Sequence, residues 1–152
     1  DIVARINALP NAPKLSLTTN GIRLAELAAP LKEAGLARVN VSLDTLQPQR
    51  FATMTFRDRF HDVMKGLKAA RDAGLSPVKI NTVLMPGVND DEAVSLLQWA
   101  LDEGFRLRFI EQMPLDAGGI WSRTSMVTAD DIFAQLDPVF RLTPVPGCAT
   151  PT

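Results

Sequence analysis

The sequence predicts an α/β fold in which about four parallel βα units form an open sheet or an incomplete TIM-like (β/α) barrel. Two observations support this prediction. Segments with alternating apolar residues and segments with helical apolar spacing follow one another in the order β-α-β-α-β-α-β-α, which is typical of parallel strands covered by helices. In addition, each strand carries its polar residues on one face. Four units are too few to close a (β/α)8 barrel, so a doubly wound sheet and a piece of a barrel are both compatible with this order.

The first predicted strand leads into a helix. IVARINALP, residues 2–10, has the character of the end of a preceding helix, and the strand lies in KLSLT, residues 14–18. The dipeptide Asn20-Gly21 is a common signal for a tight β-hairpin. From Ile22 onward, however, apolar residues recur at helical spacing, and Gly35 stands where a glycine would end a helix. TTNG is therefore predicted to be a strand-to-helix loop.

The second and third strands flank a second helix. ARVNVSLD, residues 37–44, is predicted to be a strand, and LQPQRF, residues 46–51, a short turn. Apolar residues with helical spacing then predict a helix within residues 60–74, closed by a glycine. PVKINTVLM, residues 77–85, is predicted to be the third strand because it is again rich in β-branched residues.

The last two units complete the order. Asn89 is predicted to cap a helix that ends near Gly104, with Glu92 as its capping-box partner. FRLRFIE, residues 105–111, is predicted to be the fourth strand. After a long loop, Thr128 is predicted to cap a short final helix.

Composition narrows the class of protein. The 152 residues are 46 % hydrophobic and 22 % charged, which excludes a disordered chain, and no apolar run is long enough to span a membrane. A net charge of -1 with scattered basic residues argues against a nucleic-acid partner. A single cysteine, Cys148, excludes an internal disulfide and favours a cytoplasmic location. The start at Asp1 and the Pro-rich end suggest a piece of a longer protein.

The polar residues of the four strands share one face. They are Ser16 and Thr18, Asn40 and Ser42, Lys79 and Asn81, and Arg106 and Arg108. Burying such groups without partners costs roughly 2 to 7 kcal/mol each, so this face is expected to line a hydrated or ligand-filled cavity. The groups lie toward the carboxyl ends of the strands, where parallel α/β folds bind ligands. Lys79 and Arg108 predict an anionic ligand.

Each of these residues also has an ordinary structural explanation. Thr18 and its neighbours could simply end a strand, and Asp44 or Thr45 could cap the turn that follows. Lys79 alone would be solvated, and Arg106 and Arg108 could pair with Glu103 or Glu111. The shared face and the shared end of the strands, rather than any single residue, therefore carry the prediction of a ligand site.

Four runs of sequence resemble a known family. SLTTNGIRL, AGLARVNVSLDTLQPQRF, GLSPVKINTVLMPGVNDDE and LRFIEQMPLD occur in this order and resemble the GTP 3',8-cyclases of molybdenum cofactor biosynthesis, which are radical S-adenosylmethionine (SAM) enzymes. The resemblance covers residues 14–136. TTNG and NVSLD are shared with many radical SAM proteins, whereas VKINTVLMPGVNDDE followed by LRFIEQMPL is more specific to the cyclases.

The resemblance implies a partial radical SAM barrel that uses SAM and 4Fe-4S clusters to convert GTP to the cyclic precursor of molybdopterin. It implies that Thr18 and Lys79 contact GTP. It implies that Ser42, Met113, Arg108 and Asn81 form the SAM side of the site, with Arg108 at an anion-binding position. Asp44 and Glu111 are lesser candidates.

The chain also departs from the family pattern. The cluster motif Cys-x3-Cys-x2-Cys and the Gly-Gly-Glu-Pro motif are absent, no metal ligand is assigned, and Phe56 stands where a glycine is common. We expect residues 1–136 to be the central part of the barrel and residues 137–152 to begin a missing C-terminal segment. Such a piece should be inactive alone and should self-associate through its sheet edges.

Three other functions are compatible with parts of the sequence. They are another radical SAM enzyme, such as a peptide-modifying or haem-pathway member, a non-catalytic nucleotide-binding module, and an unrelated sugar-phosphate barrel enzyme. The KIN and LRFIEQMPL runs argue against the first, and the lack of a phosphate-binding glycine loop argues against the last.

Overall fold

The computed structural model describes residues 2–113 and 126–144. Within these residues strands and helices alternate as the sequence predicts, except that two helices, rather than one, lie between the second and third strands. The helices are α1 (Ile2–Asn7), α2 (Leu24–Glu33), α3 (Pro48–Thr55), α4 (Phe60–Asp72), α5 (Ala93–Asp102) and α6 (Ala129–Leu136). The strands are β1 (Leu15–Thr19), β2 (Leu36–Ser42), β3 (Val78–Thr82) and β4 (Arg106–Phe109). A short 3-10 helix, Asp90–Glu92, precedes α5.

The four strands form one parallel sheet in the order β1-β2-β3-β4. Consecutive strands are therefore neighbours, and each crossover carries at least one helix, as parallel pairing requires. In the part of the chain that the structure describes, the sheet is open, with β1 and β4 at its edges. This arrangement confirms the predicted α/β fold with four parallel βα units.

One face of the sheet packs on the helices. Val39, Val41 and Ile80 are fully buried, and they lie in one cluster with Val63 and Leu67 of α4. Burying each such side chain contributes about 1.5–3 kcal/mol to stability. A second cluster joins α5 and α6, with Leu96 and Ile132 among its members. The helices thus fix one face of the sheet and leave the opposite face to the polar residues.

The loop after β1 is a βα loop and not a hairpin. Gly21 has a φ of +79°, and its backbone N–H donates to Thr19 Oγ1 over 3.2 Å. Asn20 Oδ1 accepts from the backbone N–H of Ile22, also over 3.2 Å. Asparagine therefore closes a local turn with its own side chain, and glycine supplies the left-handed backbone. The chain then enters α2 rather than a returning strand.

Helix α3 replaces the short turn predicted for residues 46–51. Pro48 stands at its start, where a missing N–H costs nothing. Phe51 is buried and contacts Phe60 of α4 with ring centroids 5.8 Å apart. The helix is followed by Phe56, whose φ of 55° is unusual for a residue other than glycine. That side chain is 92 % exposed.

Candidate functional site

The predicted polar face is present, and the strand register divides it into two rows. In the lower row, Thr18 pairs with Asn40, Asn40 with Lys79, and Lys79 with Arg106. In the upper row, which lies nearer the carboxyl ends of the strands, Ser42 pairs with Asn81 and Asn81 with Arg108. The alternation of side chains along a strand places both rows on the same face. The structure thus brings together five of the six predicted site residues.

Most groups in the two rows are exposed or half-buried and open to a ligand. Thr18, Ser42, Arg106 and Arg108 are exposed, whereas Asn40, Lys79 and Asn81 are half-buried. Asn40 Nδ2 donates to Thr18 Oγ1 over 3.2 Å, so the amide fixes that hydroxyl.

Asn81 is the exception to this open arrangement. Its Oδ1 atom is buried and accepts no hydrogen bond from any residue that the structure describes. A buried acceptor without a donor costs about 1–3 kcal/mol, so this oxygen is suited to a donor from a ligand.

The structure gives no support to the ion pairs considered for the two arginines of β4. Glu103 instead pairs with Arg71, with 2.5 Å between Oε2 and Nη1. Glu111 Oε1 accepts from the backbone N–H of Ala129 over 3.0 Å and so binds the start of α6. Among the described residues, Arg106 and Arg108 have no carboxylate within salt-bridge distance. Both guanidinium groups are available for an anion.

A cavity of about 230 Å³ adjoins the upper row at the carboxyl ends of β1 and β2. Asn20, Ser42, Asp44 and Thr45 supply polar groups to its lining, and Phe51 and Met54 of α3 supply apolar surface. The sequence did not reveal this cavity, because α3, which forms one wall, was predicted to be a turn. A polar edge facing an apolar wall can bind a small molecule that has both hydroxyl groups and a flat ring.

Asp44 brings a carboxyl group to this cavity. Its Oδ1 accepts from the backbone N–H of Val83 over 2.8 Å. Burial raises the pKa of Asp44, and the hydrogen bond from Val83 opposes that rise. Within the described residues, Oδ2 accepts no hydrogen bond, which leaves one carboxylate oxygen for a ligand.

The sequence predicted that Asn89 caps a helix, but its side chain makes no cap hydrogen bond. Its side chain is fully buried, and Nδ2 donates to the backbone oxygens of Asp44 and Val83 over 2.6 and 3.0 Å. Its Oδ1 accepts from the backbone N–H of Met85 over 2.7 Å. The prediction was wrong because the side chain of Asn89 is engaged by these buried backbone groups, which need hydrogen-bond partners.

Glu92 is not a capping-box partner either. Its carboxylate accepts from Thr45 Oγ1 over 2.6 Å and from the backbone N–H of Leu46 over 2.8 Å. It also pairs with Arg50, which reaches Asp91 over 2.7 Å. The helix cap predicted at Thr128, in contrast, is confirmed, and the structure adds Asp131 as a capping-box partner.

Met113 lies apart from the two rows. It follows β4, and its side chain is 59 % exposed. Its position after the end of the fourth strand is compatible with a contact at the same end of the sheet. Cys148 lies outside the described residues.

Comparison with known proteins identifies the family. Residues 1–100 match the model of the radical SAM superfamily. The chain belongs to the radical SAM superfamily. The open sheet of four parallel strands is consistent with the partial β/α fold of this superfamily.

Several relatives carry the same name. A protein from Streptomyces coelicolor named GTP 3',8-cyclase is 61 % identical over 142 residues, which are 93 % of this chain and 42 % of the relative. Proteins with this name from Mycobacterium ulcerans and Paenarthrobacter nicotinovorans are each 53 % identical, over 97 % and 96 % of this chain. The chain spans about two-fifths of the length of these relatives.

The residues of this radical SAM chain fit SAM but not an iron–sulfur cluster. SAM carries a carboxylate, an amino group and ribose hydroxyls, and Arg108, the free Asn81 oxygen and Asp44 offer matching groups. A 4Fe-4S cluster requires several thiolates, whereas the chain has one cysteine. Within the described residues, no three His, Cys, Asp or Glu side chains are grouped to hold a metal.

No helix in residues 2–113 and 126–144 is long and apolar enough to cross a membrane.

Proposed function

We propose that this chain is the central part of a GTP 3',8-cyclase of molybdenum cofactor biosynthesis and that its polar face contacts GTP and SAM. The observation that carries the proposal is the pair of rows on one sheet face. Five residues that the family resemblance selects fall into these rows. The names of the relatives support the choice of this reaction within the superfamily.

In this proposal the lower row binds GTP. Thr18, whose hydroxyl is fixed by Asn40, offers a hydrogen bond, and Lys79 offers a point charge for a phosphate. Arg106, the register partner of Lys79, adds a second positive charge in the same row.

The upper row and the cavity bind SAM. Arg108 suits the carboxylate of the methionyl group because a guanidinium fork matches a carboxylate. Asn81 Oδ1 accepts from the amino group, and Ser42 and Asp44 face the ribose, with Met113 at the same end of the sheet. Rows two residues apart along a strand are separated by roughly 7 Å, so the two ligands would lie side by side.

The chain's own residues bind and orient the two ligands. SAM bound there would supply a 5'-deoxyadenosyl radical, with methionine as the leaving group, when it accepts one electron from a reduced 4Fe-4S cluster that this chain's residues do not hold. The chain lacks the thiolates that a cluster requires, and we therefore propose that it is inactive by itself. Iron and sulfide analysis after anaerobic reconstitution tests this point, and a 4Fe-4S cluster bound to this chain would contradict it.

Binding of the two ligands can be tested separately by calorimetry. Lys79→Ala should weaken GTP binding about tenfold or more and leave SAM binding unchanged, because a charged hydrogen bond contributes about 1.5–3 kcal/mol. Arg108→Ala should weaken SAM binding. Lys68→Ala removes the same charge from an exposed position on α4 and serves as the control. Wild-type chain that binds neither ligand would contradict the proposed role of this face.

We also propose that the chain self-associates. In the described part of the chain, β1 and β4 each present an unpaired edge, and such edges pair readily with other strands. Sedimentation at tens of micromolar protein tests this, and a strictly monomeric species would count against it.

A further inference from the structure

The loop after β2, residues 43–47, forms one wall of the cavity but makes few hydrogen bonds of its own. Leu43, Asp44 and Thr45 line the cavity. The only hydrogen bond inside the described loop runs from the backbone N–H of Gln47 to Thr45 Oγ1 over 3.0 Å. A loop with so little internal bonding does not fix the direction of its side chains by itself.

Residues of the next βα unit hold this loop in place. Asn89 Nδ2 donates to the backbone oxygen of Asp44, and Thr82 Oγ1 donates to that of Leu43 over 2.6 Å. Glu92 accepts from Thr45 Oγ1 and from the backbone N–H of Leu46. We call Asn89 and Glu92 the rim clamp. Both are buried, at 0 % and 3 % exposure, and neither lines the cavity.

A contribution to folding stability does not by itself explain why Glu92 of the rim clamp carries a buried carboxylate. Burying a charge costs several kcal/mol, and a buried ion pair replaced by apolar residues often leaves a protein equally stable. Glu92 nevertheless receives a hydroxyl, a backbone N–H and the guanidinium of Arg50 on its two oxygens. Such convergence fixes the position of the loop in a way that an apolar contact cannot.

From this geometry we infer that Glu92 is a positioning residue for the cavity: by holding Thr45 and Leu46, it fixes the loop beside Asp44 in the orientation that binds SAM. The inference rests on the proposed function. Glu92 touches no ligand and acts through Thr45 and Leu46. The lower row lies two residues nearer the amino ends of the strands than the upper row, which contains Ser42. No hydrogen bond joins the described residues of the lower row to the rim clamp. GTP binding should therefore not depend on Glu92.

The test compares SAM and GTP binding by calorimetry in the full chain and three variants. Glu92→Ala should raise the dissociation constant for SAM about tenfold if the loop then adopts the binding geometry about a tenth of the time. Its GTP affinity should stay within about twofold. Asp91→Ala also removes a carboxylate bound to Arg50 but leaves the loop untouched, and it should bind both ligands like the wild type. Glu92→Asp keeps the charge and shortens the side chain, so it should lose SAM affinity selectively as well.

Every outcome of this test either supports or overturns the inference about Glu92. SAM affinity retained in Glu92→Ala, or lost equally in Asp91→Ala, would overturn the inference. If circular dichroism shows that Glu92→Ala does not fold, Glu92→Asp decides by the same criterion. A parallel loss of SAM and GTP affinity in a folded variant would also overturn it. Wild-type chain that binds no SAM would overturn the proposed function itself, which distinguishes the two failures.

Discussion

Gly21 offers a sharp test of how the first βα loop is built. In Gly21→Ala the new Cβ would lie 2.9 Å from Val41 Cγ1 and 3.2 Å from Val63 Cγ1. Both valines are fully buried, so neither can move aside without disturbing the core. The φ of +79° adds a second penalty, because L-residues with a side chain rarely adopt it. Alanine should therefore destabilise the fold by two separate mechanisms.

The expected magnitude follows from these contacts. A left-handed backbone costs a non-glycine residue about 1–2 kcal/mol, and overpacking a core costs about 1–3 kcal/mol. Replacing glycine also lowers the conformational entropy of the unfolded chain, which stabilises the folded state by about 0.4–1 kcal/mol. Gly21→Ala should thus lower the free energy of unfolding by about 1–4.5 kcal/mol, with a central value of about 3 kcal/mol.

Gly87→Ala is the matched control. Gly87 has a φ of +68°, and a Cβ added there would meet nothing within 4 Å. It should lose only about 1 kcal/mol, which is the strain without the steric clash. Urea unfolding followed by circular dichroism measures both variants, with the slope m as a check on two-state behaviour. Equal losses in the two variants would show that Val41 and Val63 do not restrict this position.

Three further variants test local features. Phe56→Gly should raise the free energy of unfolding by about 1 kcal/mol, measured in urea, because the left-handed strain is removed and an exposed ring loses little burial. The hydrogen bonds from Thr128 lower the pKa of Asp131, so they stabilise the fold above the unfolded pKa and are lost as the pH falls through the lower folded pKa. Asp131→Asn should therefore be less stable than the wild type near pH 7, with the difference shrinking in acid melts. Burial raises the pKa of Asp44, so the ionised carboxyl disfavours folding above the folded pKa, and this penalty disappears as the pH falls below the unfolded pKa. Asp44→Asn should be at least as stable as the wild type at pH 7 in thermal melts, yet bind SAM more weakly in calorimetry.

Each of these expectations has a contrary result. A loss of stability in Phe56→Gly would mean that the ring makes a stabilising contact. If the stability difference between Asp131→Asn and the wild type persists undiminished in acid, the ionised carboxylate of Asp131 is not its cause. Unchanged SAM affinity in Asp44→Asn would exclude this carboxyl group from the cavity's ligand contacts.

The sequence predicted the sheet well because its signals are local. Alternation of polar and apolar residues fixes which side chains share a face, so the partnership of Lys79 with Asn40 and of Asn81 with Ser42 follows once neighbouring strands are placed in register. The loop at Gly21 was also predicted, because the helical spacing after Ile22 outweighs the hairpin signal.

The features that the sequence did not reveal depend on contacts between distant residues. Asn89 and Glu92 have the spacing of a helix cap, but Asn89 also binds Asp44, 45 positions away, and Glu92 binds Leu46, 46 positions away. Helix α3 has one buried side chain, Phe51, and its ion pairs reach across to Asp91 and Glu92, so residues 46–51 lack the pattern of a helix. The cavity depends on both features, and for this reason only Ser42 and Asp44 on its rim were foreseen.

The sequential strand order has a consequence for how the chain acquires its structure. Because β1, β2, β3 and β4 pair in the order in which they occur, each later strand pairs with the strand made just before it. Each βα unit can add to the one before it as synthesis proceeds. The loop after β2, however, is held by Asn89 and Glu92, so the cavity is completed only when the third unit arrives. Amide exchange on chains ending before residue 89 should show Leu46 unprotected while Val41 is already protected. The cavity would then form one step later than the sheet that carries it.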